Sequence, residues 1–277
     1  MLTREPDIMK IRLGYDIVFT HPQPTPMLLM LNIHYSRMSH ILVPDHLITT
    51  PFTNVVQYRD VFGNWCSRLV APAGELRLTT DALIADPGTV DQHDPTAIQH
   101  VVNELPDDCL QFLLGSRYCE TEKLMDFAWG QFNPILGGHA RVQAICDFVH
   151  NHITFGYQYA RNTRTAYEGF NERIGVCRDF AHLAVTLCRC INIPARYCTG
   201  YLGDIGVPKD PAPMDFSAWF EAYIGNHWYT FDARHNTPRI GRVLIARGRD
   251  AADIAISTHF GPSTLQKFHV HTDEVLN

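Results

Sequence analysis

No stretch of this 277-residue chain approaches the roughly 20 apolar residues in a row that a membrane-spanning helix needs. The best candidate, Met27 to Leu31, is one short strand's worth. The opening Met1-Leu-Thr-Arg-Glu-Pro lacks the basic-then-apolar order of a secretory leader, which predicts a cytoplasmic chain with no membrane partner. Positive charge is scarce, with 23 Lys and Arg against 29 Asp and Glu and a net charge of −6. The densest basic stretch, Arg239 to Arg249, is broken up by apolar residues, so a nucleic-acid partner has no electrostatic support. No internal repeat, low-complexity segment or glycine-rich phosphate cradle is present. Paired zinc-ligand spacing is missing too. Cys188-x-Cys190 on a helix would sit about 200° apart, and His269-x-His271 would share a face only on a strand. No metal and no cofactor are therefore expected.

Hydrophobic residues make up 45% of the chain and charged residues 19%, which is ordinary for a globular protein and enough for two compact domains. Eight cysteines are spread without a repeating framework. In a chain with no leader they are expected to be reduced thiols, most of them buried as small apolar groups.

Residues 10 to about 86 read as strands, among them Leu13 to Phe19, Met27 to Tyr35, Val55 to Val61 and Asn64 to Val70. Their turn-separated spacing predicts an N-terminal antiparallel β-sandwich over residues 1–90. Asp86-Pro-Gly-Thr-Val-Asp-Gln-His-Asp-Pro95 is rich in turn residues and reads as the boundary with a core domain over 91–277. There, Glu122 to Phe132 and His139 to Ile153 carry apolar residues at helical spacing. A polar and aromatic loop, Tyr157 to Arg173, precedes a third helix. Strands follow at Ala195 to Leu202, Ala218 to Ile224 and His227 to Asp232, so the fold class is α+β.

Phe180, Leu183, Ala184 and Leu187 fall at i, i+3, i+4 and i+7, which buries one face of that third helix. Cys177 then opens it, with Gly175 as a flexible lead-in. Unpaired N–H groups and the positive end of the helix dipole favour a thiolate at that position. The same N–H groups suit an oxyanion on an attacked carbonyl, as acyl transfer requires. The alternative is that Cys177 is one more small buried residue.

Gly175-Val-Cys-Arg-Asp-Phe-Ala-His-Leu183, then Cys188-Arg-Cys-Ile-Asn-Ile-Pro-Ala-Arg196 and Gly200-Tyr201, resemble the bacterial transglutaminase-like superfamily. The resemblance continues through Ala218-Trp-Phe-Glu-Ala-Tyr, Trp228-Tyr-Thr-Phe-Asp232 and Gly248-Arg-Asp-Ala-Ala-Asp253. Tyr58-Arg-Asp-Val-Phe-Gly-Asn64 resembles the β-rich region that often precedes this core in bacteria. The resemblance implies a papain-like core whose Cys–His–Asp triad acts on amides through a thioester, with a peptide or protein as substrate. It makes Cys177 the nucleophile and Asp232 the acid of the triad.

The histidine of that triad is expected just before Ala-Trp, where this chain has Ser217. A two-residue Gly225-Asn226 turn, glycine first as in type II′, pairs Ile224 with His227 and puts Ser217, Trp219, Asp232 and Arg234 on one face. Ser217 and Asp232 are then diagonal neighbours about 7–8 Å apart. A histidine at 217 would reach Asp232, whereas serine is no base near neutral pH. By spacing, His182 points about 140° away from Cys177 and His227 faces away from Asp232. His235, just past the strand, is the best internal substitute. Arg249, Asp250 and Asp253 either brace a loop near the site or form a surface ion pair. Two readings follow: a thiol-dependent hydrolase or acyltransferase, or a weakened relative that binds a peptide-like ligand in the same cleft.

Overall fold

The computed structural model describes residues 9–275. The opening residues on which the leader was read lie outside them. Seven strands come first: β1 (Met9–His21), β2 (Thr25–Leu29), β3 (Ile41–Val43), β4 (Ile48–Thr50), β5 (Val56–Arg59), β6 (Trp65–Ala71) and β7 (Gly74–Asp86). A helical stretch follows, with α1 (Asp107–Leu110), α2 (Thr121–Phe132) and α3 (Gly138–His152). Next come β8 (Thr154–Phe155), α4 (Ala166–Glu172), β9 (Ile174–Gly175) and α5 (Cys177–Cys190). The chain ends with β10 (Ala195–Tyr201), β11 (Ser217–Ile224), β12 (His227–Phe231), β13 (Val243–Gly248), β14 (Ser257–His259) and β15 (Thr264–Val275).

The N-terminal strands form two antiparallel sheets, β15-β1-β7-β3 with β4 also on β7, and β14-β2-β6-β5. Alternation along β1 and β7 sends Ile11, Leu13, Ile17, Leu76, Leu78 and Ile84 into one core with Met27, Leu29 and Leu69 of the other sheet. Residues 257–275, grouped by sequence with the second domain, are the outer strands of these sheets. Thr264–Val275 pairs with β1 over most of its length. Its side chains are mostly exposed, so it carries no alternation that would mark it as a partner of the N-terminus. The same apolar core runs on into Ala181, Tyr197, Ala218 and Val243, without a break at residue 90.

The third sheet, β12-β11-β10-β13, carries α5 against one face. A second core joins α2, α3 and α5 through Leu124, Val142, Ile145, Leu183, Leu187 and Phe220. The β11–β12 hairpin has the expected register, with Ile224 opposite His227. Its turn is type I′, not II′, because Gly225 and Asn226 both have positive φ, 55° and 63°. Asparagine tolerates the left-handed region, and the primed turn matches the strand twist either way. Among the described residues no helix is long and apolar enough to cross a membrane.

Candidate active site

Val176 precedes the first turn of α5, and its N–H donates to Asp179 Oδ2 at 2.9 Å, which closes the helix start. Asp179 is in turn held by the buried Arg164 at 3.0 Å, which also reaches Glu172 and the Tyr159 carbonyl. Arg178 donates to the Arg161, Asn162 and Arg164 carbonyls. The loop before α4 is thus clipped to the helix that carries Cys177. Gly175 serves contact rather than flexibility. It pairs with Phe155 in a short parallel ladder, and a Cβ there would come within 2.6 Å of Asp179 Cβ.

All eight cysteines are free thiols, seven of them buried, and Cys177 is the one with partial exposure. The expected thiolate is not what this setting favours. Burial pushes the Cys177 thiol up to about 11, with Asp215 and Asp232 adding to the rise. Arg234 and the Ala218 N–H pull the other way without overcoming it. Desolvation is the largest influence on this thiol.

Asp232 follows β12 and is buried. Its Oδ1 accepts from the Arg234 and His235 N–H groups at 3.0 and 3.1 Å. Its Oδ2 accepts from His235 Nδ1 and Arg242 Nη2, both at 2.8 Å. Burial alone would raise this carboxyl, but Arg242 and His235 outweigh it and hold it well below the ordinary carboxylate range. Arg242 is itself buried, lies over the Trp219 ring and donates through Nε to Asp91 Oδ2 at 2.8 Å. Trp219 is itself buried.

Ser217 and His235 line one cavity of about 70 Å³ with Tyr157, Arg234 and Arg239. Ser217 is buried, and its carbonyl accepts from Thr199 Oγ1 at 3.1 Å across the β10–β11 pair. The Arg234 guanidinium lies 3.8 Å from the centre of the Phe155 ring and close enough to Cys177 to act on its ionisation. His235 donates through Nδ1 to the Asp232 carboxylate, and Nε2 is the ring nitrogen not used in that contact. A carboxylate on Nδ1 is the contact that orients the imidazole of a catalytic triad.

The other candidates lie elsewhere. His182 is fully buried between the Tyr118 and Tyr197 rings, and its Nε2 accepts from the Ala251 N–H at 3.1 Å. His227 is exposed on β12. His269 and His271 do share a face, on β15, and no group of three or more ligand-type residues among the described ones is arranged to hold a metal ion. Arg249 pairs with Asp253, while buried Asp250 takes the Tyr118 N–H at 2.8 Å, so these residues brace the back of α5 and not the Asp232 side. Sequence reasoning missed Arg242 and Asp91. The one signal was the Ile240-Gly-Arg242 turn, where Gly241 has φ of 76°.

Residues 131–233 match the family model of the transglutaminase-like superfamily. A solved structure from Cytophaga hutchinsonii, provisionally named a cysteine protease, is similar over 98% of this chain and 92% of its own. It is 33% identical, with a TM-score of 0.84. An uncharacterized protein of Mycobacterium leprae is 34% identical over 88 residues, 29% of this chain and 30% of that protein. An uncharacterized protein of Mycobacterium bovis is 28% identical over 147 residues, 48% and 46% of the two chains. The matched stretches thus span less than half of these curated relatives.

Proposed function

The chain belongs to the transglutaminase-like superfamily, and from that premise we propose that it cleaves or transfers amide-bound acyl groups through a thioester on Cys177. His235 takes the place of the imidazole that Ser217 lacks. The observation that carries this reading is the 2.8 Å contact between His235 Nδ1 and Asp232 Oδ2. It fixes the tautomer and leaves Nε2 free to take a proton.

In the first step the Cys177 sulfur attacks the amide carbonyl while its proton passes to His235 Nε2. The carbon–nitrogen bond then breaks, and the same proton leaves with the amine. In the second step water or another amine attacks the thioester, again giving its proton to His235, and the thiol is restored. First-turn N–H groups of α5 stabilise the tetrahedral oxyanion. A thiol pushed up to about 11 suits this sequence, because proton loss is coupled to attack instead of preceding it. The substrate class is a peptide or protein amide.

The raised thiol and Ser217 also support a second reading, a cleft that binds a peptide-like ligand without turning it over. Hydrolysis of an activated ester by the parent, Cys177→Ala and His235→Ala proteins decides between them. Turnover that depends on both residues supports the enzyme, and turnover by neither parent nor variants supports the binding protein.

A further inference from the structure

A larger cavity, about 600 Å³, lies in the N-terminal half of the molecule and shares no lining residue with the cavity at Ser217 and His235. That volume accommodates a drug-sized organic molecule or a pair of side chains. One end is polar. Asp45 Oδ2 accepts from the Ile33 N–H at 2.6 Å and from Asn32 Nδ2 at 3.2 Å. Asn32 Nδ2 also donates to the Asp45 carbonyl at 2.9 Å, and Gln57 Nε2 donates to Asn32 Oδ1 at 3.2 Å. The carboxylate is therefore held in one orientation by a small amide network, and its second oxygen is left without a hydrogen bond among the described residues. No side-chain cation pairs with it among those residues either. The walls are apolar, formed by Met38, Leu47 and Trp65.

A half-buried, pre-oriented carboxylate that shares a cavity with a tryptophan and a methionine suits a cationic ligand with an apolar body. A cation satisfies the free oxygen, and an apolar body replaces water along the wall. We propose that this cavity is a second binding site, taking an organic ammonium with an apolar body, its charge on Asp45 and its body against Trp65 and Met38. Two basic side chains stand nearby. His46 lines the cavity, and Arg59 is engaged between the Tyr35 and Trp65 rings, 4.5 and 4.6 Å from their centres. Neither forms a hydrogen bond or ion pair with Asp45 among the described residues. Burial raises the Asp45 carboxyl above its ordinary value, and an ammonium beside it would oppose that rise.

Calorimetric titration with tryptamine tests the assignment, with tryptophol as the uncharged analogue and indole-3-propionate as the anionic one. Tryptamine should bind roughly tenfold or more tightly than tryptophol, and the propionate not measurably. Asp45→Asn keeps the shape and most of the network, and should remove that preference. Met38 is 57% exposed, so Met38→Arg is tolerated by the fold and should block the site with its own guanidinium. Neither change should alter alkylation of Cys177. No binding of tryptamine by the parent, equal binding of tryptophol, or unchanged binding by both variants would overturn the proposal.

Discussion

Replacing His235 by alanine separates the proposed base from the architecture around it. Asp232 keeps Arg242 Nη2 at 2.8 Å and two backbone N–H donors, so the truncation leaves no orphaned buried charge. The His235 side chain is 23% exposed, and its loss should cost about 1 kcal/mol of stability or less. The chemical cost is larger. With the thiol pushed up to about 11, only about one Cys177 in 10⁴ is ionised at neutral pH. A positioned base that bypasses this ionisation contributes about 10²–10⁴-fold, or about 3–5 kcal/mol of barrier. His235→Ala should therefore lower kcat/KM for an aryl ester by about 10²–10⁴-fold at pH near 7, with Tm nearly unchanged. The remaining activity should rise about tenfold per pH unit toward about 11, while the parent profile stays much flatter. Adding Ser217→His to the His235→Ala protein should restore activity, because Ser217 lines the same cavity as His235. A His235→Ala protein with the parental rate and pH profile would refute the reasoning.

Iodoacetamide mapping by mass spectrometry should find Cys177 modified first, since the other seven thiols are buried, with a rate that climbs steadily as pH rises. Arg242→Met removes the guanidinium shared by Asp232 and Asp91, and chemical denaturation should show a loss of about 3 kcal/mol. The folded Asp232 carboxyl is depressed, so its contribution is present above the ordinary carboxylate pKa of about 4 and is lost as pH falls below it. Acid unfolding of Arg242→Met should accordingly depend less on pH in that window than that of the parent. Arg189→Met removes donors to the Ala195, Leu114 and Arg249 carbonyls and should lower unfolding free energy by about 3 kcal/mol or more.

Local patterns in the chain carried much of this arrangement. The 3.6-residue periodicity after Cys177 corresponds to α5, and a two-residue turn predicts the Ile224–His227 register whichever primed type it adopts. Proximity to the strand end was enough to single out His235 as the partner for Asp232. What stayed hidden depends on contacts between distant parts of the chain. Arg242 bridges to Asp91 across 151 positions, from a stretch that reads as a plain linker. β15 returns to β1 about 250 residues later, with exposed side chains that carry no periodic signal. The helix terminus at Cys177 is visible in sequence, whereas the burial that pushes its thiol up is not.

Intact-mass spectrometry of the protein after brief exposure to an activated acyl ester tests the central claim most directly. The account predicts one acyl group on Cys177, removable by hydroxylamine as a thioester is, absent in Cys177→Ala and formed far more slowly in His235→Ala. An adduct that persists in Cys177→Ala, or none at all on the parent, would contradict it.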